Sequence, residues 1–239
     1  EIPGNGIDED CDGSDEVGSG ALAQTSRFSD ALGKRQVKKY NIVWILMETV
    51  RADHVSAIDY DKPTTPYLAK LAKESLVFTR AYSQSSATVL SIPSMLSGVD
   101  PGMASWRRER NHPQLEPEHL LISERLKGSS YRTGFVLDTY LKHTFTSIQR
   151  GFDDVLLAEP DNKRKNNRPR RNLISTAKAA EFMAKLKPEQ PFFLVVYYPD
   201  AHSPYTRHKD VDSSRFEKGE LGDYDTELLF TDQQIRALI

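Results

Sequence analysis

An unbroken apolar run, NIVWILM at residues 41 to 47, stops abruptly at Glu48 and Thr49, with Arg51, Asp53 and His54 close behind. Two further apolar runs end in the same manner. TGFVL ends on Asp138, and PFFLVVYYP ends on Asp200, with His202 two residues on. A carboxylate can hold a divalent cation or move a proton, and an imidazole can donate to an anionic oxygen. One rim that gathered these groups would have the means for metal-assisted or acid–base chemistry. Taken singly, each is also what any strand needs where it meets a polar loop. Arg51, Asp53 and His54 read as structural, with Asp53 pairing to Arg51 or capping the turn. His112, His119, His143 and His208 sit in no supporting pattern.

A second cluster lies in NGIDEDCDGSDE. Asp8, Asp10 and Asp12 alternate and Gly13 follows where a tight turn is needed, a spacing that lets one short loop aim several oxygens at calcium. The twelfth loop position, a bidentate Glu in an EF-hand, is Ser19 here. The segment resembles short Asp-rich metal-binding repeats of secreted bacterial proteins; the alternative is an acidic solvated linker. Cys11 is the single cysteine of the chain, so cysteine usage does not fix the redox compartment.

The elements that must position these groups follow from patterning. A chain of 239 residues with 38% hydrophobic residues has enough apolar side chains for a sizeable core. Its formal charge of −2 gives no global field towards nucleic acid, so no nucleic-acid partner is expected. No apolar stretch approaches a membrane span and no signal peptide is visible. The chain begins at Glu1 and DQQIRALI stops inside a helical pattern, so the expectation is an excerpt that leaves room for an export signal or membrane anchor upstream. Residues 1–38 lack apolar periodicity and read as a flexible Asp-rich leader. From there on, buried-strand and amphipathic-helix patterns alternate. NIVWILM, TGFVLD and PFFLVVYYPDAH read as strands, the first apolar at every position as a central parallel strand is. TPYLAKLAKESLVF, PEHLLISERLKGSSY and RNLISTAKAAEFMAKLK read as helices, the first opened by Thr65 and Pro66. A further helix begins near Pro93, with Thr88, Ser91 and Ser94 as candidate caps. This grammar predicts an α/β fold with a largely parallel central sheet flanked by helices, whose ligands gather at the carboxyl ends of the strands. The basic run KRKNNRPRR at residues 163–171 reads as a solvated loop, or alternatively as a patch facing an anionic headgroup or glycan.

The chain from about Asn41 to its end, most densely in the stretch to Gly98, resembles the N-terminal half of the sulfatase branch of the alkaline phosphatase superfamily. The motifs are the strand ending on an acid, Arg-Ala-Asp-His, Thr-Thr-Pro-x-Leu, a Ser/Thr-rich turn ending Leu-Ser-Gly and, further on, His-Ser-Pro-Tyr; SYRTGFV and RGFDDV fit as well. The resemblance implies that residues 39–239 are the N-terminal part of a sulfatase-like α/β catalytic domain. It places Glu48 at the first metal-binding carboxylate and Thr88 at the nucleophile and metal-ligand position, and it makes Ser91 and His202 substrate-binding residues. True sulfatases carry Cys or Ser within Cys-x-Pro-Ser-Arg there; here the stretch runs Thr88, Val89, Leu90, Ser91, Ile92. TVLSIPSM is similar instead to the Thr-x-x-Ser-x-Pro of phosphoethanolamine transferases, which carry their substituent on the threonine.

The chemistry fits those residue types. A threonine hydroxyl is a poor nucleophile until a cation lowers its pKa, and phosphoryl transfer asks chiefly for positioning and charge stabilisation. The resemblance therefore implies a metal-dependent hydrolase or transferase of phosphate or sulfate esters, possible substrates including a lipid or a glycan. It implies zinc, calcium or manganese in the active site, calcium in the leader, and a periplasmic or extracellular location. Remaining family ligands, in an Asp-His-Gly motif and a later histidine, are expected beyond Ile239. The alternative is a catalytically degenerate sulfatase-like module that binds glycan or lipid headgroups without turnover.

Overall fold

The computed structural model describes residues 39–109, 111–159, 171–208 and 211–239. The chain divides into two units, Glu1–Tyr40 and Asn41–Ile239, and every element below belongs to the second. Asp8, Asp10, Asp12 and Cys11 of the leader and residues 163–170 of the basic run lie outside the described residues.

In chain order the elements are β1 (Ile42–Met47), α1 (Pro66–Ala72), α2 (Thr88–Ser97), β2 (Trp106–Glu109), β3 (His112–Leu115), α3 (Ile122–Gly128), β4 (Arg132–Leu137), α4 (Thr139–Thr144), β5 (Asp154–Leu157), α5 (Arg171–Ala184), β6 (Phe192–Tyr198) and α6 (Glu220–Leu238). Four strands form one sheet in the order β1-β6-β4-β5, and all its pairings are parallel. β2 and β3 form a separate antiparallel ribbon. The expected α/β architecture, a parallel sheet between helical layers, is the one observed.

The alternation of β6 shows why its sequence is apolar throughout. Phe193, Val195 and Tyr197 point to one face, where they pack with Ile92 and Leu96 of α2, Leu121 before α3, and Leu141 of α4. Phe192, Leu194, Val196 and Tyr198 point to the other, against Ala179 and Phe182 of α5 and Ile235 of α6. Every residue of β6 is buried, as a strand covered on both faces requires. β1 has the same apolar character but is half-buried at five of its six positions, because it is at the edge of the sheet that the described residues form. Close packing also selects Gly134 in β4: a Cβ there would lie 2.7 Å from the Phe182 ring.

Two boundaries and one helix cap differ from the sequence reading, each for a physical reason. α1 stops at Ala72, well short of Phe78; Leu76, Val77 and Phe78 are consecutive and cannot share the stripe of Leu68 and Leu71, and all three are exposed. Its first amides are capped in trans, because Asp232 of α6 accepts from the backbone N–H of Tyr67 and Leu68 at 2.8 and 2.9 Å, while Thr65 instead accepts from the N–H of Ser56. α2 begins at Thr88, five residues before Pro93, which sits inside it. It ends at Gly98, whose φ of 74° is the left-handed cap that the Leu-Ser-Gly stretch supplies.

Candidate active site

The periodicity of β1 determines what faces the α2 side. Trp44 and Leu46 pack on that side, so Glu48, two residues further, emerges there as well. The N–H of Glu48 donates to the Tyr198 carbonyl at 3.0 Å, which prolongs the β1–β6 ladder by one step. The chain then turns at Thr49, which takes a φ of 53°, an unusual conformation for a β-branched residue. Two contacts hold that conformation. The Thr49 hydroxyl donates to the Ala201 carbonyl at 2.7 Å, and Tyr224 of α6 donates to the Thr49 carbonyl at 2.9 Å. Backbone strain of this kind persists where neighbours over-determine it, and here it lies beside the candidate carboxylate.

Thr88 is the first residue of α2, at the helix end where the dipole favours an anion. Its hydroxyl donates to Glu48 Oε1 at 2.8 Å. The other carboxylate oxygen, Oε2, accepts from the Tyr197 hydroxyl at 2.7 Å. Burial, reinforced by the Glu48 charge, pushes the Tyr197 phenol well above its ordinary pKa, so it stays protonated and acts as a donor. These groups open on a cleft of about 930 Å³ lined by Glu48, Thr49, Ser83, Thr88, Ser91 and Tyr197, among others. Ser91 is one turn along α2 from Thr88; its hydroxyl lies 3.0 Å from that of Ser83. Ser94, a turn further, has a buried hydroxyl without a hydrogen-bond partner.

Glu48, Thr88 and Ser91 are thus brought together, whereas the other strand ends serve the scaffold. Asp138 caps α4, accepting from the Leu141 N–H at 2.8 Å, and pairs with Arg171 at 3.3 Å. Asp200 accepts from the Asn172 N–H at 3.0 Å, with Arg171 Nε 3.6 Å away. Burial raises its pKa to about 6, against the lowering effect of that amide. His202 is exposed on the loop after β6, its Nδ1 2.8 Å from the Ser203 carbonyl, and it is not among the residues lining the cleft. Arg51 and Asp53 form the expected exposed pair, with contacts of 3.0 and 2.6 Å. His54 is buried, its Nδ1 2.6 Å from Asp225 Oδ1.

Sequence reasoning missed Tyr197, and also the pair of His208 with Glu227, buried at 2.5 Å under the stacked ring of Phe230. A signal existed for the first of these. A tyrosine at a doubly covered strand position needs a partner for its hydroxyl.

The donor chemistry can be tested against a divalent cation. Glu48 Oε1 and Thr88 Oγ1, in mutual hydrogen-bond contact, are two oxygen donors of the type that zinc, calcium or manganese accept, and they fit as part of a coordination shell. Among the described residues no group of three or more His, Cys, Asp or Glu side chains is gathered to complete one.

Comparison with known proteins agrees with the fold. The N-acetylgalactosamine-6-O-sulfatase of Bacteroides thetaiotaomicron is 28% identical over 106 residues, which are 41% of this chain and 20% of that protein. The integral membrane protein lipooligosaccharide phosphoethanolamine transferase A from Neisseria meningitidis superposes with a TM-score of 0.62 at 18% identity, covering 90% of this chain and 44% of that one. The C-terminal periplasmic domain of EptC from Escherichia coli, solved in complex with zinc, gives 0.62 at 16% identity over 84% of this chain and 58% of that one. The chain therefore spans about half the length of the solved structures it matches. The Sulfatase family model matches residues 40–239, and with that extent of match the chain belongs to the sulfatase family.

Proposed function

We propose that residues 39–239 form the nucleophile-bearing part of a metal-dependent hydrolase or transferase of phosphate or sulfate esters, with Thr88 as the nucleophile. The observation that carries this reading is the 2.8 Å hydrogen bond from Thr88 to Glu48 at the mouth of the cleft. Because the hydroxyl proton is directed at Oε1, the lone pairs of Oγ1 are turned away from Glu48. In the first step Oγ1 gives its proton to solvent and attacks the phosphorus or sulfur, and the bond from that centre to the ester oxygen breaks as the leaving alcohol takes up a proton from water. In the second step water or an acceptor hydroxyl attacks the phosphorus or sulfur and gives up its proton, the bond from that centre to Oγ1 breaks, and the Thr88 oxygen takes a proton back. A divalent cation bound by Glu48 and Thr88 would lower the hydroxyl pKa and offset charge on the transferred group. The start of α2 adds the favourable end of a helix dipole. Ser91 and His202 are substrate-binding in this reading, Ser91 from the cleft wall and His202 from the loop after β6.

Threonine at the nucleophile position favours the phosphoethanolamine-type reaction over formylglycine-dependent sulfate ester hydrolysis. Neighbours that are lipooligosaccharide-modifying and sulfatase enzymes support a lipid or glycan ester as substrate, and a periplasmic neighbour supports an exported location. Among the described residues no helix is long and apolar enough to cross a membrane. Asp8, Asp10 and Asp12 of the leader, residues 1–38, form a calcium-binding loop in this proposal.

Steady-state kinetics of the full-length protein on phosphodiester and phosphomonoester model substrates test the roles. Thr88→Ala is expected to lower kcat by about 10³-fold or more, and Thr88→Ser to keep part of the activity. Glu48→Gln should lower zinc affinity as well as rate. Undiminished turnover in Thr88→Ala would overturn the nucleophile assignment. A parent protein that binds glycan or lipid headgroups with no turnover would favour the binding module instead.

A further inference from the structure

Within β6 every residue fills a core, and Phe193 and Val195 do so on the α2 face with carbon and hydrogen alone. Tyr197 occupies the next position on that face, paired in register with Leu46 and 6% exposed. Its ring satisfies the packing there. The hydroxyl therefore needs its own account, since a buried hydroxyl without a partner is costly and a phenylalanine would avoid that cost. The partner is Glu48. Parallel pairing of β1 with β6 places the Glu48 carboxylate diagonally across from the ring, at 2.7 Å from the phenol oxygen.

We propose that Tyr197 is a positioning residue for Glu48, occupying Oε2 so that the carboxylate presents one oxygen, Oε1, to Thr88 and to a cation. The proposal rests on the roles of Glu48 and Thr88 given above. Two constraints make the phenol suited to the task. Its ring is buried in the core cluster that holds Leu46, Ile92 and Leu96, and its backbone belongs to the most buried strand of the sheet. A carboxylate at a strand end is otherwise free to rotate, and with both oxygens open it can grip a cation in two ways. Hydrogen bonds to metal-binding carboxylates commonly select one arrangement, and losing such a partner typically weakens metal affinity or activity about 10–100-fold. Thr88 benefits as well, because its acceptor stays in place through the same contact.

The test uses the full-length protein, the Tyr197→Phe and Glu48→Gln variants and their combination, with zinc alone titrated by calorimetry and kcat measured beside KM. Tyr197→Phe keeps the ring, so an unchanged Tm verifies the fold. It is expected to weaken zinc binding and to lower kcat by about 10-fold or more, with KM little changed. In the Glu48→Gln background the same change should do almost nothing, because the phenol acts through that carboxylate. Zinc should also perturb tyrosine absorbance in the parent, and that difference signal should shrink in Tyr197→Phe. Equal losses in both backgrounds would make the role of Tyr197 merely structural and overturn the proposal. So would parental zinc affinity in Tyr197→Phe while Glu48→Gln loses it. If Glu48→Gln binds zinc as the parent does, the assignment of Glu48 itself falls, and the positioning role falls with it.

Discussion

Thr88 and Glu48 lie forty positions apart in sequence and meet in a 2.8 Å hydrogen bond at the end of the sheet. Glu48 was legible because an apolar run that ends on a carboxylate is a pattern. Thr88 was legible only through the Leu-Ser-Gly register, since a threonine near a helix start is ordinarily a cap. The other strand ends show how residue type underdetermines role. Asp138 and Asp200 carry the same group as a metal ligand, yet both are consumed by backbone amides and by Arg171, which lies between them. No local feature of the sequence distinguishes these uses, because the partners arrive from distant segments. Asp200 offers a test of this scaffold role. Burial raises its pKa from 3.8 to about 6, so the fold favours the protonated form. Its favourable contribution is fully present below about pH 4 and is lost as pH rises through about 6, where the buried charge costs roughly 3 kcal/mol. Asp200→Asn retains an acceptor for the Asn172 amide and removes the titration. Urea unfolding should show a flatter dependence of stability on pH between 4 and 6 than in the parent, with a relative gain at pH 8. Parallel pH curves for the two proteins would contradict that assignment.

At the scale of elements, strongly patterned segments were readable and short ones were not. β1, β4 and β6 fall where unbroken apolar runs predicted them. β5 has four residues, and the β2–β3 ribbon is built from WRRE and HPQL, which alternate in no useful way and are fixed by cross-strand pairing, for example Trp106 with Leu115. The misplaced start of α2 has a specific cause. Proline favours a first turn, so Pro93 suggested a boundary, but the Ala87 carbonyl already accepts from the Ser91 N–H at 2.9 Å and the helix begins five residues earlier. That shift moves Thr88 from a flanking loop to the first helical position. The layer opposite α2 depends instead on close approach, as Gly134 shows. Gly134→Ala would place a methyl group 2.7 Å from the Phe182 ring and press α5 off the sheet. Overpacking of this kind costs about 1–3 kcal/mol. A lower urea midpoint with an unchanged m-value is expected; parental stability would mean that Phe182 yields freely.

For the molecule as a whole, family and architecture were recoverable from sequence because they rest on many motifs in one order, whereas the use of each polar side chain rests on single contacts. The sheet and its helices set Glu48 and Thr88 at one cleft. The central claim is that this cleft performs covalent catalysis through Thr88. It is tested most directly by quenching the full-length protein during turnover of a slow phosphodiester and mapping the adduct by mass spectrometry. The account predicts a phosphorus-containing adduct on the Thr88 side chain, absent from Thr88→Ala. An adduct on Ser91, or full turnover with Thr88 unmodified, would contradict it.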